Sequence, residues 1–366
     1  MKLLLCGGGT AGHITPAIAI AEELKTTSPD SEVLFVGRDG GQENKLITNA
    51  GFKYQTIKVQ GIKRKITFEN IKRFYDAVKS ISEAKRIIKE FNPDVILGTG
   101  GYVCWPVIIA GKKLGVKTAI HESNIIPGLT TRLLSKKCDI VFINKEETKE
   151  KLNAKAKIIT VGNPLRKKFI KTDRSSARKA LGVEEKDFLI VSFGGSIGSK
   201  KMNEIIIDVV KNYSSKEKDI KHIHAIGSRY IETEKIEKNE LGRCEIIPFI
   251  DDMPTVMLGA DLVICRCGAM TLSEICEVGV TPILIPSPNV TDNHQYANGR
   301  HLEEHGNAIL IEEKNLSTNS LITAIKKVKS DKFGRKTRAK LLKEISTPDS
   351  AKSIINHLFL LKNKAK

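Results

Sequence analysis

Aromatic side chains are scarce in this chain, at 5% of 366 residues with a single tryptophan. Single-stranded nucleic acids are held largely by stacking bases on aromatic rings, and no nucleic-acid reading motif appears. Nucleic acid is therefore not the expected partner. Long apolar runs are also missing. The longest, Val103 to Ala110, falls well short of the roughly 20 residues needed to span a bilayer. Leu3–Cys6 is too short for a signal-peptide core, and glycines end it, so the cytoplasm is the expected compartment. No CxxC pair occurs among the seven cysteines, Cys6, Cys104, Cys138, Cys244, Cys265, Cys267 and Cys276. Most lie in strand-like runs, where a thiol behaves as a small buried hydrophobe. Cys265 and Cys267 lack companion ligands, so zinc is not expected. Acid is in short supply too: 42 Asp and Glu face 60 Lys and Arg, a formal charge of +18. That balance points to an acidic partner, either a phosphorylated substrate or an anionic membrane surface.

The length exceeds one ordinary core and implies two domains. Strand and helix patterns alternate along the first 160 or so residues. Strands are expected at 2–6, 32–36, 53–59, 94–97, 117–121, 140–143 and 157–161, with helices between them such as 16–26 and 68–90. The polar, basic stretch "VGNPLRKKFIKTDRSSARKALG" then reads as a linker and short helix. The pattern restarts with strands at 188–193, 222–226, 244–247, 262–265, 282–285 and 308–311. Alternation of this kind is the mark of parallel sheets covered on both faces, an α/β class. The tail from Ala351 has helical spacing at Ile354, Ile355, Leu358 and Leu361.

The first strand of each half runs into glycines. Gly7, Gly9 and Gly12 in "LLLCGGGTAGHITPA" match GxGxxG. An NAD site wants an acid about 20 residues on; here "FVGRDG" offers Asp39 late, beside Arg38. A P-loop wants lysine where His13 stands. Two readings remain open, a turn that needs glycine only for its backbone and a turn that admits an anion to helix amides. "GGSIGSKKMNE", from Gly194, repeats the strand–turn–helix arrangement and adds the Ser196 hydroxyl. "GTGGYVCWP", from Gly98, is a third such turn. "CRCGAMTLSEICEVG" opens a helix, with Glu274 in its first turns. That carboxylate suits two vicinal hydroxyls, as on ribose, or merely complements the helix dipole. "DNHQYAN" gathers His294, Gln295 and Asn298 at another helix start, as sugar-binding amides or as an N-cap region. Asn124, in "IHESNIIPGL", follows a strand and is a candidate ligand contact. From Lys58 to Glu90, Ile62, Ile66, Phe68, Ile71, Phe74, Tyr75 and Val78 interleave with basic residues. This is either an interfacial membrane patch or a core-facing helix with a solvated basic face.

Together, "GGGTAGHITPA", "GTGGYV", "IHESN" with "PGL", "VGNPLR", "FGGSIGS", "FIDDM", "RCGAMTLSE" and "DNHQYAN" resemble family 28 of the glycosyltransferases, over nearly the whole chain. The resemblance is to peripheral membrane enzymes that move N-acetylglucosamine (GlcNAc) from UDP to lipid I, giving lipid II of peptidoglycan. It implies a GT-B fold of two Rossmann-like domains facing a cleft, divided here as 1–163 for acceptor and membrane, 164–345 for the UDP-sugar, and a helical tail at 346–366. It implies UDP-N-acetylglucosamine, lipid I and an anionic cytoplasmic membrane face as partners, and neither cofactor nor metal. For the donor it implies Thr10, Ala11 and Gly12 at the sugar-phosphate end, and Asn124 on the sugar. Arg166 and Ser196 would lie near the diphosphate, and the Ile250 backbone on uracil. Ala269, Met270, Thr271, Leu272, Ser273 and Glu274 would line diphosphate and ribose, and Gln295 the GlcNAc hydroxyls. Gly8, Gly9, Gly100, Gly101 and Tyr102 are expected at the acceptor diphosphate. His13 is expected as the general base, since an imidazole ordinarily titrates at about 6.5, or as a group that positions the acceptor. Two departures bear on the acceptor pocket: Ser123 stands where the family commonly has glutamine, and Trp105 where a small residue is usual.

Overall fold

The computed structural model describes residues 1–40, 43–59, 68–171, 173–230 and 241–363. It divides into two compact units, Met1–Arg166 with Thr347–Lys366, and Lys167–Ser346. Unit 1 runs β1 (Lys2–Cys6), α1 (Ala11–Thr27), β2 (Glu32–Arg38), α2 (Glu43–Asn49), β3 (Lys53–Ile57), α3 (Phe68–Phe91), β4 (Val95–Gly98), α4 (Cys104–Lys113), β5 (Lys117–Glu122), α5 (Leu129–Leu134), β6 (Ile140–Ile143) and β7 (Lys157–Thr160). Unit 2 runs α6 (Lys167–Lys171), α7 (Arg174–Ala180), β8 (Phe188–Phe193), α8 (Lys200–Asn212), β9 (Ile220–Ala225), β10 (Cys244–Ile247), α9 (Met253–Gly259), β11 (Leu262–Cys265), α10 (Ala269–Val278), β12 (Thr281–Leu284), α11 (His294–Glu304), β13 (Ile309–Leu310), α12 (Thr318–Ser330) and α13 (Lys332–Glu344). The last helix, α14 (Ser350–Asn363), returns to unit 1.

Each unit is built on one sheet whose strands all pair in parallel. The orders are β3-β2-β1-β4-β5-β6-β7 and β10-β9-β8-β11-β12-β13. The strands are continuous apolar runs because both faces are covered. Alternate residues of β1 show this. Leu3 and Leu5 pack with Ile14, Ile18 and Leu24 of α1 and with Ile354, Ile355 and Leu358 of α14. Leu4 and Cys6 pack on the other face with Ile87 and Ile88 of α3 and Val107 and Ile108 of α4. In unit 2, Leu189 and Val191 pack with Met257, Ile275 and Leu342, and Phe188 and Ile190 with Ile206, Val210 and Ile325.

The order of strands reverses between β1 and β4 in unit 1 and between β8 and β11 in unit 2. Open parallel sheets bind ligands beyond the carboxyl ends of their strands at such reversals. The three glycine turns follow β1, β4 and β8, and the turn at Gly268 follows β11. The first helix differs from its expected start: it begins at Ala11, not near Pro16. A proline breaks only the bond its own missing N–H would make, here to the carbonyl four residues back, so the preceding turn still forms.

A buried imidazole pair underlies the first turn of unit 2. Ser192 Oγ lies 2.8 Å from His222 Nε2 and 2.9 Å from His224 Nδ1, and Ser214 Oγ lies 3.1 Å from His222 Nδ1. Burial pushes both rings down, His222 to about 3 with further lowering by its neighbour His224, and His224 itself to about 4. Unfolded histidines protonate near pH 6.5, so the unfolded chain takes up protons that the native one refuses. This contribution is fully present above about pH 6.5 and is lost as the pH falls from there towards 4. Calorimetry from pH 7 to pH 5 should show the wild type losing more thermal stability than a His222→Asn/His224→Gln variant. Equal losses would remove the pair as the cause.

Candidate functional site

In unit 1 the first and third glycine turns meet. The Gly8 N–H donates to the Gly100 carbonyl at 3.3 Å, so that amide is already committed. Gly9, Gly100 and Gly101 have φ of +89°, +120° and +82°, conformations that side chains rarely adopt. The close approach demands glycine as well: a Cβ on Gly100 would lie 2.5 Å from His13 Cδ2, and one on Gly101 would strike the Gly8 carbonyl. Tyr102 lies over Gly9, 3.4 Å from where a Cβ would be. Thr10 is the N-cap of α1, followed by Ala11, Gly12 and His13 in the first turn.

His13 Nδ1 lies 2.9 Å from the Gly8 carbonyl and 3.3 Å from Thr10 Oγ1. A carbonyl only accepts, so Nδ1 carries a proton. In the neutral form of the ring Nε2 then keeps its lone pair.

Asn124 stands two residues beyond β5, and its loop is organised by the buried Glu122. One carboxylate oxygen accepts the Asn124 N–H and side-chain amide, both at 3.0 Å. The other accepts the Gly128 N–H at 3.0 Å and the Thr131 hydroxyl at 2.6 Å. Glu122 thereby fixes the amide that presents Asn124 and starts α5. Arg166 also belongs to unit 1, where its guanidinium donates to Glu22 Oε1 at 3.1 and 2.8 Å.

In unit 2, the turn after β8 is tied by main chain to the loop after β9. Ser228 N–H donates to the Ser196 carbonyl at 3.1 Å and Gly227 N–H to Pro248 at 3.0 Å. The latter bond leads to the loop that carries Ile250, whose side chain is buried. The Ser196 side chain has no hydrogen-bond partner among the described residues. Asp252, in the acidic pair that follows Ile250, is the N-cap of α9: it accepts the Thr255 hydroxyl at 2.7 Å and pairs with Lys168. The N-terminus of α10, Ala269 to Glu274, lies beyond β11 with Gly268 as a side-chain-free cap.

Glu274 has no hydrogen bond or ion pair among the described residues. Burial pushes its carboxyl up to about 8. The shift has one cause, desolvation, with no partner to offset it. Beyond β12, Gln295 lies in the first turn of α11, and its Oε1 accepts the Ser287 N–H at 2.9 Å, which leaves its amide N–H groups as donors. Asp292 and Asn293 just before it are both left-handed, at φ +53° and +50°. Strained backbone of this kind concentrates at ligand clamps.

The fold thus gathers Thr10, Ala11, Gly12, His13 and the Gly100–Tyr102 turn at one end of unit 1's sheet. It gathers Ser196, Ala269 to Glu274 and Gln295 at the corresponding end of unit 2's. Two contributors went unassigned in the sequence. Glu122 stood unremarked beside Asn124 in "IHESN". Arg266 donates to Ser199 Oγ at 2.5 Å, to Glu313, and to the Ile285 and Pro286 carbonyls, and so ties the starts of α8 and α10 to the end of β12. Only its place in "CRCGAM", at a strand end before glycine, hinted at this. The Ile62–Ile66 part of the basic apolar segment lies outside the described residues. Further along α3, Ala84, Ile87 and Ile88 face the core, while Val78 is exposed.

Two doubly wound parallel units, each with glycine-containing turns at its reversal point, make up the GT-B fold. Family models agree with this. The family 28 N-terminal domain matches residues 3–143 and the C-terminal domain residues 189–354. The chain belongs to glycosyltransferase family 28. An Acetivibrio thermocellus protein named UDP-N-acetylglucosamine–N-acetylmuramyl-(pentapeptide) pyrophosphoryl-undecaprenol N-acetylglucosamine transferase is 38% identical, covering 100% of both chains. A Thermoanaerobacter protein of the same name is 42% identical over 89% of this chain and 90% of its own. Among solved structures, Acinetobacter baumannii MurG has the same fold, with a TM-score of 0.72 at 24% identity over 98% of each chain.

Proposed function

We propose that this enzyme transfers N-acetylglucosamine from UDP-N-acetylglucosamine to the 4-hydroxyl of the N-acetylmuramic acid of lipid I, with inversion, to give lipid II and UDP. The observation that carries this reading is the placement of the three glycine turns and the turn at Gly268 at the two sheet reversals, two in each unit. One reversal suits a nucleotide-sugar and the other a bulky lipid diphosphate. The full-length relatives carry the name of this reaction.

Unit 2 holds the donor. Uracil meets the backbone at Ile250, and the ribose hydroxyls donate to Glu274. The diphosphate meets Ser196 and the amides that open α10, along Ala269, Met270, Thr271, Leu272 and Ser273. Helix N-termini carry roughly half a positive charge and suit the charge that grows on departing UDP. Gln295 donates to the GlcNAc hydroxyls, with Asn124 and the Thr10–Gly12 turn at the sugar end and Arg166 towards the diphosphate. Unit 1 holds the acceptor diphosphate through Gly9, Gly100, Gly101 and Tyr102. His13 Nε2 takes the proton from the acceptor hydroxyl as its oxygen bonds to C1 and the bond from C1 to the UDP oxygen breaks. The acceptor's lipid places the protein at the cytoplasmic face of the membrane, where its net charge of +18 favours anionic headgroups.

The test is purified protein with UDP-N-acetylglucosamine and a lipid I analogue. UDP and the disaccharide product should appear together, and sugar transfer to a different lipid-linked acceptor in preference would redirect the assignment. The same preparation should sediment with vesicles containing phosphatidylglycerol and not with neutral ones.

A further inference from the structure

We infer that Thr99 and Cys104, two buried residues of the glycine turn after β4, position His13 for proton transfer. The inference rests on the reading of His13 as the base. Thr99 and Cys104 are each 1% exposed, so neither reaches a substrate. Both act through the backbone around the imidazole.

Three contacts fix His13. Its Nδ1–H points at the Gly8 carbonyl, its ring lies against Gly100, and its own carbonyl accepts the Thr99 hydroxyl at 2.7 Å. The Thr99 bond reaches α1 from another strand, β4, and so sets where the first turn of α1 stands relative to the sheet. Thr99 N–H also donates to the Cys6 carbonyl at 2.9 Å, which ties the same residue to the end of β1.

Cys104 holds the other wall. Its sulfur accepts the Gly100 N–H at 3.3 Å. Its single S–H faces two carbonyls, Gly100 at 3.1 Å and Cys6 at 3.3 Å. Gly100 in turn accepts the Gly8 N–H. A shift of Gly100 therefore moves both the surface against the ring and the carbonyl that selects its tautomer. Burial pushes the adjacent Cys6 thiol up, with the hydrogen bond to Cys104 adding to it. The Cys6 thiol is thus a neutral hydrogen-bonding group here, not a nucleophile.

The test uses the full chain with Thr99→Val, which keeps the shape and removes the hydroxyl, and Cys104→Ala. Thr99→Ser and Cys104→Ser restore a donor. Turnover is expressed per UDP-binding site, so that any unfolded fraction cancels. Long-range proton–nitrogen spectra of His13 report its tautomer. Thr99→Val and Cys104→Ala should each lower kcat about tenfold, the scale of a sub-ångström misplacement. The UDP Kd should stay within about twofold, and the Nδ1–H signature of His13 should weaken. The serine variants should recover to within about threefold of wild type. Wild-type turnover per site with unaltered ring nitrogens in Thr99→Val and Cys104→Ala overturns the inference, as does failure of the serine variants to recover. His13→Ala separates the two claims: full activity there refutes the base assignment, while the ring spectra of the other variants still read the brace directly.

Discussion

His13→Ala is expected to lower kcat by about a thousandfold while leaving the UDP Kd within about twofold. A positioned general base contributes about 10²–10⁴ in rate. The ring is set up for that task by its neighbours: the Gly8 carbonyl accepts a hydrogen bond from Nδ1–H at 2.9 Å, so in the neutral ring the lone pair lies on Nε2. Uracil and ribose are assigned to Ile250 and Glu274, and His13 to the acceptor hydroxyl, so kcat and UDP affinity should separate. His13→Gln sharpens the test, since glutamine keeps a hydrogen-bonding side chain without a useful base. If the glutamine variant retains most of the turnover, His13 only holds the acceptor. Matched losses in kcat and UDP binding would contradict both roles.

Glu274→Gln is expected to weaken UDP binding by about 10- to 100-fold, the range for losing hydrogen bonds to a charged acceptor. It should affect deoxyribose analogues much less. A second signature follows from protonation. Without nucleotide, burial pushes the Glu274 carboxyl up to about 8, so at pH 7 it is mostly protonated. Two ribose hydroxyls donating to it favour the carboxylate, so UDP binding should expel a proton. Calorimetry at pH 7 in buffers of different ionisation enthalpy should show fractional proton release in the wild type and none in Glu274→Gln. No proton release in the wild type would refute the ribose assignment. The raised carboxyl has a stability consequence of the opposite sign to the histidine pair. The native state keeps a proton that the unfolded state loses above its ordinary value near 4.5. Stability therefore falls as the pH rises from about 4.5 to 8, and Glu274→Gln should flatten that slope.

Much of the scaffold could be read from the chain because buried parallel strands announce themselves. Leu262–Cys265 and Ile140–Ile143 are apolar runs closed by turn residues, and both were delimited to the residue. Edges were less legible where a strand runs on past its apolar part, as β2 does through Gly37 to Arg38. The glycine turns were visible because their chemistry is local. That the two turns of unit 1 serve one site was expected, but nothing in the order of residues says that Gly100 walls in His13, since that depends on β4 lying beside β1. Glu122 and Arg266 were missed for a related reason. Arg266 acts through groups far apart in sequence, the Ser199 and Glu313 side chains and the Pro286 carbonyl, and Glu122 through a loop whose closure onto it only the fold shows. Thr99 stood in a quoted motif, yet its bond joins it to a residue 86 positions away.

The return of α14 to unit 1 sets a timetable for synthesis. Ile354, Ile355, Leu358 and Leu361 belong to the same apolar cluster as Leu3 and Leu5 of the first strand. The lysine of α14 also reaches back: Lys362 Nζ donates to Asp94 at 2.9 Å. While the ribosome is still translating, the amino-terminal unit must wait with one flank of its sheet uncovered. The unit encoded in the middle has all of its own core by Ser346. The half of the enzyme born first is therefore the half completed last, and its uncovered flank is where a chaperone would find the nascent chain.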